Sequence, residues 1–543
     1  MAARPPLVLD YGAFQQPPSA LFRDYLMGCP PAAPFYDGGR WDLDALLGSA
    51  ETTLSLSRPR TEVAAALVHQ QESREASVAA ARARELASPD AVAVVTGQQP
   101  GLFGGPLYVL HKALAAVKVA ALLQERRGRP VVPVFWVAAD DHDFAEVRSV
   151  SVLDEGGQIR TLRYAPAREP IAQPASHIVL DETITDLVAE LSRCLAPGLH
   201  REPLVALVAQ AYRPGATLSG AFARLLSSIV PEIVVLDPTD PVLKRLAAPI
   251  LAREIRESSP TSRLALEAGR RLLAAGYHQQ VPVREGFLNA FVVVDSERRA
   301  LGIENGTVEV RGLGRKMTVD EAMRMVESNP EAWSPGVLLR PLVQDRILPT
   351  DAYVGGPAEV AYHAQIDGSY AHFGIPRPVI FPRPSLTIVE PAQARALETE
   401  GLTLPELQAD PEGLLARWAR ESNPEIEAAF GRTRTLLEES MGAVEDLVGT
   451  LDPTLRAATD AAKGRAIHQI EGLHEKVTRA LKKRDQSRAE RLRRTRDALL
   501  PGGSFQERGL GVINLVARHG PPGVAEIRER MDPWAAGHQV IYL

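Results

Sequence analysis

Between Ala91 and Asp143 the chain changes character twice. A short β-branched run, AVAVV, gives way to a glycine-rich stretch, then to a segment in which Leu107, Leu110, Leu114, Val117 and Ala121 recur at three- and four-residue spacing. That spacing predicts a helix, with Pro106 at its first turn and RRGRP ending it. A second apolar run, VVPVFWVAA, follows at once. Strand, helix and strand at this spacing predict a βαβ unit, whose parallel strands end at one edge of a sheet. Open parallel sheets bind their ligands at that edge. Helical stretches around 222–229 and 242–256 then alternate with the strands EIVVLD and FLNAFVVVD, so the sheet is predicted to be larger than two strands. AYVGGPAE reads as strand, tight turn and helix start, and RPVIFPRP as a final strand.

The pattern weakens at about 151–214 and 258–332, which are expected to be inserted connecting segments within a core spanning 1–388. After Val389 the chain becomes charged and rich in alanine and leucine. Ile426, Phe430, Leu437, Met441, Val444, Val448 and Leu451 form one apolar stripe; Leu455, Ala462, Ile467, Ile470, His474, Val477 and Leu481 form a second beyond Asp452 and Pro453. Two long antiparallel helices are predicted, a coiled-coil domain over 389–505, with 506–543 returning to the core. The fold class is α/β, a parallel-sheet core with a C-terminal helical coiled coil.

Composition narrows the function. The 543 residues, 45% hydrophobic and 24% charged, are ordinary for a globular chain of more than one unit. A net charge of -6 gives no electrostatic reason to expect nucleic acid. The two cysteines, Cys29 and Cys194, lie far apart and outside any metal-ligand spacing, so no zinc site or disulfide framework is expected and a reducing cytoplasm fits. No apolar run approaches the ~18 residues of a membrane span, and no membrane partner is expected.

Three constellations carry candidate chemistry. In TGQQPGLFGGPLYVLHK, Thr96, Gly97, Gly104 and Gly105 could bring backbone N–H groups to an anion at a helix start, while His111 and Lys112 could neutralise phosphate charge. Gln98, Gln99 and Tyr108 are candidate substrate contacts. The loop reads equally as a mobile surface turn, and the HK pair as solvated helix residues. In ADDHDF, Asp140 is a candidate substrate contact, and Asp141, His142 and Asp143 are candidate catalytic groups. If strand geometry persists, Asp141 and Asp143 point one way, Asp140 and His142 the other; the alternative is a capping turn with Asp143 as N-cap. In the third block, Arg340 and Gln344 share a helix face. Gly355 and Gly356 turn into a helix bearing Glu359, Tyr362 and His363, and Arg340 or Arg383 could clamp a carboxylate. The basic run Lys482 to Arg496 reads as a solvated helix face; tRNA binding there would need strongly salt-dependent affinity.

TGQQPGLFGGPLYVLHK, PVFWVAADDHDFAEV, LLRPLVQDRILPTDAYVGGPAEVAYHAQ and GSFQER together resemble the bacillithiol biosynthesis cysteine-adding enzyme family, in that order and over essentially the whole chain. The resemblance implies a Rossmann-like core related in shape to class I aminoacyl-tRNA synthetases, and a coiled coil supporting a homodimer. It also implies the joining of L-cysteine to the amine of glucosaminyl-malate and a link to adenine nucleotide; because amide formation is uphill in water, an activated carboxylate with ATP or another adenine nucleotide as activator is expected, and no metal. The alternative is a nucleotide-binding or scaffolding protein that kept the shell and lost the chemistry.

Overall fold

The computed structural model describes residues 5–36, 41–409, 411–421, 423–484 and 486–543, with side chains at all of these but 411, 412, 419, 482–484 and 487. The start of the basic run at Lys482 therefore lies outside the described side chains. The chain forms two compact units, Met1–Glu390 with Ser504–Leu543, and Pro391–Gly503.

Five strands make the central sheet of the first unit: β1 (Val92–Gln98), β2 (Val131–Val137), β3 (Val234–Leu236), β4 (Thr350–Gly355) and β5 (Val379–Pro382). All pair in parallel, in the order β3-β2-β1-β4-β5. This is the doubly wound arrangement, with its reversal of winding between β1 and β4. The four longer strands are buried almost throughout, as strands covered on both faces must be, and β2 accordingly reads as an unbroken apolar run, while Asp351 in β4 is buried against Arg127. Helix α1 (Leu107–Arg127) connects β1 to β2 and ends at Gly128, whose φ of 63° suits a left-handed terminus. By length and composition α1 could cross a membrane, but 72% of its apolar window is buried in this unit, the mark of a core helix. Helices α2 (Arg340–Ile347) and α3 (Pro357–His363) flank β4.

One expectation is corrected: FLNAFVVVD does not extend the parallel sheet. Phe287–Val294 is buried only on alternate residues, as in a half-covered antiparallel sheet. It lies between Glu297–Glu304 and Trp333–Pro335 in a separate five-stranded antiparallel sheet built largely from the second insert. The first insert carries a hairpin, Ser149–Leu153 with Ile159–Arg163, and two helices, Thr183–Cys194 and Arg201–Ala211. The last strand, His538–Tyr542, runs parallel to Ser385–Val389 and antiparallel to Leu7–Leu9.

In the second unit, α4 (Pro424–Leu451) and α5 (Leu455–Arg484) fold back on each other across Asp452 and Pro453. Phe430 stacks on His474 at 4.5 Å, and His474 meets Glu427 at 2.7 Å, so the stripe through Ile470 and His474 closes the hairpin within one chain.

Candidate active site

In doubly wound sheets ligands bind at the carboxyl ends of the strands where the winding reverses, here β1 and β4. Thr96 bridges these strands, its hydroxyl donating to the Val354 carbonyl at 2.8 Å. At Gly97 a Cβ would sit 2.5 Å from the Trp136 carbonyl oxygen, so only glycine allows β1 and β2 this register. Lys112, on the first turns of α1, reaches back to the Gly97 carbonyl at 2.5 Å and pairs with Glu359 of α3. Glu359 also accepts from the Gly356 N–H at 2.8 Å, capping its own helix, and from the Tyr353 hydroxyl at 2.6 Å. Burial pushes the Glu359 carboxyl up, but the Lys112 ammonium and these hydrogen bonds outweigh it and hold the group below the usual carboxylate range. Arg340 extends the network: it donates to Gln344 at 2.9 Å, to the Tyr362 hydroxyl at 2.9 Å and to the Tyr353 hydroxyl at 3.4 Å. These partners are all neutral, so its charge, unlike that of Lys112, is not cancelled by a bonded carboxylate. Gln98 donates to the Tyr108 hydroxyl at 2.9 Å beside the same opening.

The ADDHDF loop forms the adjoining rim, at the end of β2. Strand geometry stops at Val137: Asp141 N–H bonds to the Ala138 carbonyl in a turn, and the four side chains diverge rather than alternate. Asp140 pairs with the buried Lys244 at 2.6 Å. Asp141, 36% exposed, accepts from Gln99 at 2.6 Å, and the same amide reaches Glu146 at 3.0 Å. His142 meets Arg298 at 3.2 Å. Asp143 accepts from the Glu146 N–H at 3.1 Å and caps the short helix Phe144–Val147, as the capping alternative expected. Gln99 thus ties the end of β1 to the acidic loop, bringing the first two constellations to one rim.

Three further expectations are corrected. His111 is fully buried and bonds through Nδ1 to Glu507 at 3.1 Å; burial lowers its pKa, so it is a neutral ring beside a carboxylate and supplies no cation to the crevice. Arg383 is buried too, and its two terminal nitrogens are held by Glu507 through bonds of 2.7 and 2.6 Å, so that its charge is already paired rather than free for a substrate carboxylate. The glycine loop is neither a mobile turn nor an anion cradle. It is buried, Gly104 and Gly105 sit at φ 90° and 70°, the Gly105 carbonyl accepts from Val512, and the Leu107 N–H at the start of α1 donates to Leu510 at 2.8 Å. The C-terminal segment thus takes the first N–H of α1, a donor that a phosphate at this helix start would use. Of the third block, Gly355 and Gly356 serve the turn and the cap.

Comparison with known proteins adds the family. Residues 9–384 match the model described as "Bacillithiol biosynthesis BshC, N-terminal Rossmann-like domain", and 386–543 match "Bacillithiol biosynthesis BshC, C-terminal coiled-coil domain". The chain belongs to the BshC family. A protein of Salinibacter ruber is 32% identical over 99% of this chain and all of its own length. One of Solibacter usitatus is 33% identical over 96% and 97%, and one of Koribacter versatilis 33% over 92% and 93%. Each bears the name "Putative cysteine ligase BshC". The chain is an enzyme of this ligase family, with the Rossmann-like and coiled-coil parts that its sequence led one to expect.

Sequence reasoning missed Glu507, Tyr353, Lys244 and Arg298. Glu507 lay within GSFQER and Tyr353 within AYVGGPAE, stretches that carried the resemblance but gave these two residues no assigned role; Lys244 and Arg298 sit where no local signal marks them. Among the described residues no group of three or more His, Cys, Asp or Glu is set to hold a metal ion. A cavity of about 1230 Å³ opens beside the start of β2, lined by Lys118, Gln124, Pro133 and Arg528 among others, and none of the expected site residues lines it.

Proposed function

We propose that this enzyme joins the carboxyl group of L-cysteine to the free amine of glucosaminyl-malate, the last step of bacillithiol synthesis, in the cytoplasm and at the rim between β1, β4 and the ADDHDF loop. The family description and the relatives' name support the reaction class. One observation carries the choice of site: Arg340, a cation with only neutral partners, shares the rim with Asp141, a half-exposed carboxylate. An acid and an amine need opposite charges to hold them face to face. In this reading Arg340 grips a substrate carboxylate, and Tyr108 and Gln98 orient it. Asp141 and Glu146, tied by Gln99, hold the incoming ammonium. Asp141 takes one proton from that ammonium to free its lone pair; as the nitrogen attacks the activated carbonyl carbon, the bond to the activating group breaks and the second nitrogen proton leaves with that group.

Amide formation from a free carboxylate is uphill in water, so an activated cysteinyl group is required. At the glycine loop one donor that a nucleotide phosphate would use, the Leu107 N–H, is already taken by the Leu510 carbonyl. The deciding assay incubates pure protein with cysteine and glucosaminyl-malate, with and without ATP, and measures bacillithiol by mass spectrometry. Product only with ATP supports nucleotide activation from elsewhere on the rim; equal product without it removes ATP from the reaction. No product from folded protein in either arm would overturn the reading in favour of a scaffolding role. The homodimer is likewise a proposal: Leu436, Leu447 and Leu473 stay exposed on the closed hairpin, and analytical ultracentrifugation of the full chain at sedimentation equilibrium should give twice the monomer mass.

A further inference from the structure

His142 was expected to act as an acid or base, yet its surroundings assign it another part. We infer that Arg298, from the antiparallel sheet, fixes His142 as a neutral ring with its proton on Nε2, a hydrogen-bond donor at the rim rather than a base. The inference rests on the reading of this rim as the reaction site.

A guanidinium has only donors, so its 3.2 Å contact with Nδ1 of His142 makes that nitrogen the acceptor. The ring's remaining proton must then lie on Nε2. Arg298 is itself held without slack. Its Nε donates to the Ser334 hydroxyl at 3.0 Å, another nitrogen donates to the Pro335 carbonyl at 2.9 Å, its charge lies 3.8 Å over the Phe291 ring, and its backbone N–H is tied to Ala172. The competing partner is Asp141, whose Oδ1 lies 3.7 Å from the same Nδ1, beyond hydrogen-bond reach, and already accepts the His142 backbone N–H at 2.8 Å. Partial burial and then the Arg298 charge both disfavour the imidazolium, against the opposing pull of Asp141 and Asp143, and the net pKa is lowered. The ring is 35% exposed and Nε2 has no protein partner among the described residues, so its N–H is open to a ligand. A neutral donor beside the amine-holding Asp141 suits the oxygen that becomes negative when the amine adds to the acyl carbon. Arg298 is thus a positioning residue, and the second insert supplies it.

The test is nitrogen NMR on the full chain labelled with ¹⁵N-histidine, with His142 assigned by its loss in H142N. The Nε2–H tautomer is expected in the wild type from pH 6 to pH 8. An Nδ1–H tautomer or an imidazolium in that range would overturn the inference, whether or not any variant folds and whether or not product is made. In R298M, which keeps the packing over Phe291, the His142 midpoint should rise toward the ordinary ~6.5; an unchanged midpoint and tautomer would count against Arg298. In the product assay H142Q, which keeps an N–H donor, should exceed H142A by about tenfold or more, a part of the ~100-fold that one such donor supplies. Equal loss in both would point to a base instead.

Discussion

Replacing Glu507 by glutamine should be among the most damaging single-atom changes in the first unit. The carboxylate is 2% exposed and accepts five contacts: Arg383 twice, Ser385 at 2.9 Å, the Leu386 N–H at 2.9 Å and His111 at 3.1 Å. Burial alone would raise its pKa, yet the Arg383 charge and hydrogen bonds hold it well below the carboxylate range. E507Q removes the charge, leaving Arg383 buried and unpaired, for which breaking a buried pair costs about 3–5 kcal/mol. The new amide also turns donors toward donors, and each unsatisfied buried group adds about 1–3 kcal/mol. A loss of about 5 kcal/mol follows, as large as the whole stability of many domains. Urea unfolding followed by tryptophan fluorescence should show the midpoint of the first transition collapse. The double variant E507L/R383M, which removes both charges together, should recover much of the loss. If E507Q unfolds within about 1 kcal/mol of wild type, the pair is not the strut described here.

Other outcomes follow from the same geometry. His538, buried between Ser385 and Thr387, has its pKa lowered by burial to about 4. Its contribution is therefore complete above the unfolded value of 6.5 and is lost as pH falls from there toward 4, by about 3 kcal/mol; H538N should flatten that slope in unfolding measured across this range. D141N, at a half-exposed position, should leave the melting temperature nearly unchanged while lowering product formation by about 100-fold or more; near-normal turnover would remove Asp141 from the chemistry. I470E/V477E should weaken the helical circular dichroism of the hairpin, because Ile470 lines a seam internal to one chain; well-folded monomers would show that the seam joins two copies.

What the sequence disclosed depended on how local each cause was. The β1–α1–β2 unit was legible because unbroken apolar runs and a three- and four-residue stripe are imposed by burial on neighbouring residues. The break at Asp452 and Pro453 was legible for the same reason. The partners of the polar groups were not, because His111 meets a residue 396 positions away and Arg383 one 124 positions away. Periodicity carries no term for such pairings. Arg298 and Lys244 were invisible as site residues since nothing in the letters around them says that they turn toward the ADDHDF loop. Phe287–Val294 was placed in the wrong sheet because a short apolar run can be a fully or a half-covered strand, and only its neighbours decide which.

The first unit is left by the chain at Glu390 and re-entered only at Ser504. The middle strand of its three-stranded sheet, the seat of α1 and the partner of Arg383 all await the last forty residues. During synthesis on the ribosome, then, the Rossmann-like part remains unfinished until the hairpin has been made and the tail released.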